Sequence, residues 1–150
     1  MALGWKLVID SHDAIALAEF WAAALEYTPE DQSALIEHLV GAGQVPPAAI
    51  VEHEGRQYFR GMAAIRHPDD PFDAFTGIGQ GRRLLFQEVP EEKTAKNRLH
   101  IDVHRGPGSL DDLVARLEKL GATRVNEVNQ GPAGHWWVMR DPQGNEFCCS

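Results

Sequence analysis

The chain has 150 residues, 43% hydrophobic and 24% charged, with a net charge of −8; this suits one domain with its own core and excludes a disordered chain. An acidic chain gains nothing from counterion release on a polyphosphate, and Arg82-Arg83 is too short a basic run to make a patch, so no nucleic-acid partner is expected. No run approaches the roughly 18 apolar residues of a membrane span, the segment Met1 to Lys6 lacks the pattern of a secretory leader, and the two cysteines, Cys148 and Cys149, are adjacent and cannot staple distant segments, so a cytoplasmic protein without a membrane partner is expected.

Along the chain, Trp5 to Asp10 reads as a strand centred on Leu7, Val8 and Ile9. Ser11-His12-Asp13 offers caps for a helix to Leu25, whose Leu17, Phe20, Trp21, Ala24 and Leu25 recur at helical spacing, and Thr28-Pro29 stops it. A second amphipathic helix is expected over Glu30 to Ala42, with Leu35, Ile36, Leu39 and Val40 on one face. The stretch Ala48 to Arg60 is ambiguous: Ile50-Val51 suits a short strand, and Gln57 to Arg60 either another strand or a helical turn. Gly61 to Arg66 reads as a strand, His67 to Pro71 as a turn and Phe72 to Gln80 as a loop. The glycines of that loop do not fit a dinucleotide fingerprint, because no clear strand precedes them and no helix follows.

Arg83 to Val89 reads as a strand and the charged stretch Pro90 to Asn97 as a connector. Leu99 to His104 then alternates with period two. Ser109 with Asp112 makes a capping box for a helix over Leu110 to Leu120, with Gly121 as its stop. Strands are expected at Thr123 to Val128, His135 to Arg140 and Glu146 to Cys149, the last two joined by the turn Asp141-Pro142-Gln143-Gly144-Asn145. Both halves therefore run strand, helix, further strands, which predicts an internally duplicated α+β domain over residues 1–150, with modules at about 4–92 and 97–150.

The residues themselves leave several chemistries open. His100, Asp102 and His104 alternate onto one strand face; His100 and Asp102 read equally as an acid–base pair or as the polar face of a half-buried strand. Lys6 suits an anionic ligand or plain solvation. Trp136 and Trp137 face opposite sides of their strand, so one belongs to the core and the other can wall a pocket. Cys148 reads as a nucleophile beside His100 or as a small buried thiol, and with Cys149 as half of a strained vicinal disulfide. His100-Ile101-Asp102 with the distant His135 has the composition of a facial iron triad, although the order of helices fits that architecture poorly. Asp13 and Asp141 read as cap and turn residues.

Four stretches resemble one known group. Leu7-Val8-Ile9-Asp10 with Ala18-Glu19-Phe20-Trp21-Ala22-Ala23-Ala24-Leu25, then Arg83 to Glu91, then Lys93 to Asp102, then Asp141 to Cys148 are similar, in this order, to motifs of the glyoxalase-like members of the vicinal-oxygen-chelate superfamily, which also holds bleomycin-resistance proteins and dihydroxybiphenyl dioxygenases. The segment 28–80 matches only loosely. The resemblance implies two βαβββ modules forming a curled mixed sheet around a central cleft, with one extra helix in the first half, and a homodimer that binds a small organic molecule. In metal-using relatives four side chains hold a divalent cation that acts on the bound substrate.

Carried over one by one, those four positions fall at Lys6, Gln87, His100 and Cys148, and only His100 is of the expected type. A protonated lysine repels a cation, glutamine is a weak neutral donor, and cysteine suits soft metals. No hard-metal cofactor is therefore expected. A zinc, nickel or iron ion, if held, would take His100, Glu146 and Cys148. The expected protein is a small-molecule binder with ligand contacts from Lys6, Gln87, His100, Trp137, Glu146 and Cys148 and with His100 and Asp102 as the candidate catalytic pair; the alternative is a metal-dependent lyase, isomerase or dioxygenase.

Overall fold

The structure, a computed structural model, describes residues 1–150 and is α+β, with three α-helices and ten strands. The chain divides into two compact units, residues 1–22 with 26–90 and residues 23–25 with 91–150.

In the first unit β1 (Leu7–Ser11) leads into α1 (Ala14–Leu25). Asp13 caps the helix by accepting the Ala16 N–H at 2.9 Å, and Leu17, Phe20, Trp21 and Ala24 are buried. The helix ends with Glu26 in the left-handed region, φ 58°. Thr28-Pro29, expected only to stop the helix, forms β2 (Thr28–Pro29) against β5 (Met62–Arg66). With β6 (Arg83–Glu88) these strands make a sheet of order β1-β6-β5-β2, in which β1 and β6 run parallel. Its buried face carries Phe86 and Ile65, both 0% exposed.

Between β2 and β5 lie α2 (Ser33–Gly41) and a hairpin of β3 (Ile50–His53) and β4 (Arg56–Phe59). The ambiguous stretch 48–60 is thus two antiparallel strands. The helix is shorter than its apolar spacing suggested, because Glu30 N–H bonds Ala64 O at 2.9 Å and Asp31 takes the Ser33 N–H at 3.0 Å before the first turn. The loop after β5 folds back on this segment: Gly77, at φ 73°, lies so close that a Cβ would stand 2.0 Å from Asp31 O.

The second unit repeats the plan. β7 (Asp102–Val103), α3 (Leu110–Leu120), β8 (Thr123–Asn129), β9 (His135–Arg140) and β10 (Glu146–Cys149) give a sheet of order β7-β10-β9-β8, again with its first and last strands parallel. In both units the strands lie first-fourth-third-second, so the duplication expected from element order is one of topology as well. Ser109 accepts the Asp112 N–H at 3.0 Å and donates to its carboxylate at 2.7 Å, and Gly121 closes α3 at φ 113°. Leu113, Val114 and Leu117 bury the helix face, with Met139, Phe147 and Cys149 as the buried residues of β9 and β10.

One strand is much shorter than its alternation suggested. Of Leu99 to His104 only Asp102–Val103 is paired, because the connector ahead of it is drawn to Glu146: Asn97 N–H donates to that carboxylate at 3.1 Å.

Candidate functional site

A polar cluster forms where β7 meets β10. The parallel register sets Asp102 opposite Cys148 and Val103 opposite Cys149. Paired residues of neighbouring strands share a face, so Cys149 and Val103 go to the core while Cys148 and Asp102 take the open side. His100 joins them: its Nε2 stands 3.3 Å from Asp102 Oδ1. One ligating atom from each of His100, Asp102 and Cys148 lies within 4.8 Å of the others. Burial raises the Cys148 thiol pKa, and the Asp102 charge and hydrogen bond raise it further. The thiol is therefore held protonated, which disfavours its use as a nucleophile. Both cysteines are free thiols in the structure.

Glu146 is engaged elsewhere. Lys93 Nζ approaches its carboxylate at 3.1 Å and the Asn97 N–H donates at 3.1 Å. Burial pushes its pKa up, but the backbone bonds from Asn97 and Glu146 itself, with the Lys93 ammonium, outweigh it and bring the value down to about 2. The convergent donor set is thus His100, Asp102 and Cys148, with Asp102 standing where the sequence suggested Glu146. That exchange follows from the β7–β10 register, a long-range pairing with no local signal.

The remaining candidates are placed as follows. Trp137 pairs with Cys149 and shares its strand face with Met139, both fully buried, and Arg124 sits over its ring at 5.0 Å. Trp136, its neighbour, takes the face of Val138 and Cys148. His104 meets the Ser150 hydroxyl at 3.1 Å, and His135 pairs with Glu127 at 2.7 Å, so neither joins the cluster. On the first unit, Gln87 is exposed and lies between Asp10 of β1 and Met62 of β5, on the face that carries the half-open Val8. Lys6 is exposed one residue ahead of β1, and strand alternation groups it with Val8 and Asp10. Asp13 is a helix cap, and Asp141 holds the last hairpin by accepting N–H bonds from Gln143 at 2.9 Å and Asn145 at 3.0 Å.

At the four positions that the resemblance assigns to a metal stand the ammonium of Lys6, the amide of Gln87, the imidazole of His100 and the thiol of Cys148, which is held protonated, and the neighbouring carboxylate of Glu146 is paired with Lys93; a hard divalent metal does not fit that donor set. Magnesium and manganese need several anionic or carbonyl oxygens.

The glyoxalase-like domain family matches residues 6–150, and the chain belongs to that family, within the vicinal-oxygen-chelate superfamily. Solved structures of the same fold include the fosfomycin resistance protein FosX of Mesorhizobium loti, 11% identical with a TM-score of 0.56 over 99% of this chain and 91% of that one. FosX of Listeria monocytogenes, solved with Mn(II) and a dihydroxypropylphosphonic acid, is 11% identical with a TM-score of 0.57 over 99% and 90%. The bleomycin-binding protein of Streptomyces verticillus, solved with copper(II)-bleomycin, is 16% identical with a TM-score of 0.51 over 100% and 96%. At these identities the likeness is one of fold. No curated protein matches the sequence significantly. No helix is long and apolar enough to cross a membrane.

Proposed function

We propose that this glyoxalase-like protein binds a small organic molecule without a hard divalent metal. The observation that carries this reading is the state of Glu146: the carboxylate nearest the closing-strand ligand position is held by Lys93 and Asn97, and Cys148 is a protonated thiol. The bleomycin-binding protein supplies a parallel for a small-molecule ligand, since it was solved in complex with copper(II)-bleomycin. In this reading His100 and Asp102 are the polar contacts offered by the second unit, and His100 is the group that exchanges a proton if the ligand is turned over. Lys6 and Gln87 remain candidate contacts, each tested by its alanine variant, whereas Trp137 lies on the β9 face opposite to that of Cys148 and is not a contact in this reading. A cytoplasmic homodimer goes with the reading, and sedimentation measures the dimer.

The test is equilibrium titration in the presence of a chelator, following tryptophan fluorescence, against aromatic and amphipathic metabolites with bleomycin among them. Saturable binding weakened by His100→Ala supports the proposal. No saturable binding to any member, together with activity that appears only on adding manganese or magnesium, overturns it.

A second reading has its own observation. His100, Asp102 and Cys148 offer one nitrogen, one oxygen and one sulfur within 4.8 Å, a set that suits zinc or another borderline cation better than magnesium. Such an ion would supply Lewis acidity for lyase or isomerase chemistry, and dioxygenase chemistry would need iron in its place. Stoichiometric metal in the purified protein that disappears in Cys148→Ser would favour it over the metal-free reading.

A further inference from the structure

The first unit carries a second convergence of metal-ligating side chains, apart from the β7–β10 cluster and from Lys6 and Gln87. Glu19 projects from the exposed side of α1, and His53 and Glu54 come from the β3–β4 hairpin. Their ligating atoms lie within 4.8 Å of one another, and His53 Nε2 is 2.6 Å from Glu19 Oε1. They line a cavity of about 170 Å³ together with Ala18, Tyr58, Ala63 and Ala64. We propose that Glu19, His53 and Glu54 form a site for a divalent cation of borderline softness, with zinc as the type case, and that the cavity leaves one coordination position open to a small oxygen-donor ligand.

Three features support the assignment. One imidazole and two carboxylates are the neutral-nitrogen and anionic-oxygen donors that zinc accepts, and a three-residue set leaves its fourth position free. Ligands of one tetrahedral zinc stand about 3.3 Å apart, from bond lengths near 2.0–2.2 Å, so side-chain rotation suffices to close this cluster. The second feature is the turn. His53 and Arg56 are paired across it, and Glu54 and Gly55 both take positive φ, 48° and 77°, as in a type I′ hairpin. Such a turn favours Asn, Asp or Gly at its first central position, and here it carries a glutamate whose carboxylate faces His53 and Glu19. The third is charge. Arg56 also lines the cavity, so the cluster with Arg56 sums to one negative charge with His53 neutral; the cation is attracted overall, and the guanidinium favours an anionic oxygen at the open position.

Zinc chloride is the probe, titrated calorimetrically into the full chain after removal of tag and adventitious metal. The expected result is one equivalent per chain whose affinity falls at least tenfold in His53→Ala, Glu19→Gln and Glu54→Gly, and which survives Cys148→Ser. Glu54→Gly is the decisive variant, because glycine fits the positive φ: its thermal midpoint without metal should equal or exceed that of the parent, while the zinc-induced rise is lost. Cobalt at the same site should show d–d absorption without a thiolate charge-transfer band. No saturable zinc, zinc binding unchanged in Glu54→Gly, or loss of this equivalent in Cys148→Ser would each overturn the assignment. Loss in Cys148→Ser would place the zinc at the His100 cluster and so count against the metal-free reading there as well; the other outcomes leave that reading untouched.

Discussion

Arg83 donates two parallel hydrogen bonds to Glu30, Nε to Oε1 at 2.8 Å and Nη2 to Oε2 at 2.6 Å, with the glutamate 3% exposed. The same carboxylate accepts the Gly79 N–H at 2.8 Å, so one buried ion pair ties the start of β6 and the loop before it to the segment after β2. A buried pair adds little over a hydrophobic one, but removing one partner strands the other charge. Arg83→Met and Glu30→Leu singly should therefore each cost about 3–5 kcal/mol, and the double variant markedly less than the sum. Urea unfolding of the four proteins measures the coupling.

Gly77 makes a second demand on that loop. Its φ of 73°, and the 2.0 Å that would separate a Cβ from Asp31 O, leave no room for a side chain. Gly77→Ala should destabilise, by more than the ~1 kcal/mol that an unstrained glycine-to-alanine change can gain. Gly41 ends α2 with nothing within 4 Å of where its Cβ would be, so Gly41→Ala should stabilise by roughly 0.4–1 kcal/mol. Thermal midpoints of the two variants should move in opposite directions.

Glu146 should leave a signature in acid. Its pKa is lowered to about 2 in the folded chain against an ordinary 4.5, so the unfolded state takes up the proton first as pH falls. The stability it contributes is fully present above pH 4.5 and is lost progressively down to about pH 2. Glu146→Gln should cost about 1.5–3 kcal/mol at neutral pH, the scale of a charged hydrogen bond, and the gap to the parent should close over that window. Urea midpoints at stepped pH record it.

Cys148 should resist alkylation. Burial and then Asp102 raise its pKa above 9.0, so its reaction with iodoacetamide should rise with pH to a midpoint above that of an ordinary cysteine. Asp102→Asn removes the neighbouring charge and should shift that midpoint down. Cys149, which burial pushes up to about 11, should remain unmodified in the folded chain.

Much of this protein was legible locally. Asp13, Ser109 with Asp112, and Gly121 mark helix ends by side-chain or glycine chemistry that acts within a few residues, and each does so in the structure. The alternation of β9 and β10 and the Asp141 turn were readable for the same reason. Period-two alternation in Leu99 to His104 overstated β7, because a strand exists only where a partner offers its backbone, and Asn97 is held by Glu146 instead.

The sequence by itself determined the α+β class, the duplicated order of elements, the caps of α1 and α3 and the family, since these rest on periodicity, capping and motifs that are local or recur in fixed order. Tertiary structure alone decided that Thr28-Pro29 is a strand, that Asp102 faces Cys148 while Glu146 serves Lys93, that the β9 face with Trp137 and Met139 is the one shared with Cys149, and that Glu19 meets a hairpin more than thirty residues away. Each of these depends on strand register or on the packing of an inserted hairpin, and such pairings between distant segments leave no periodic trace in the residues that make them.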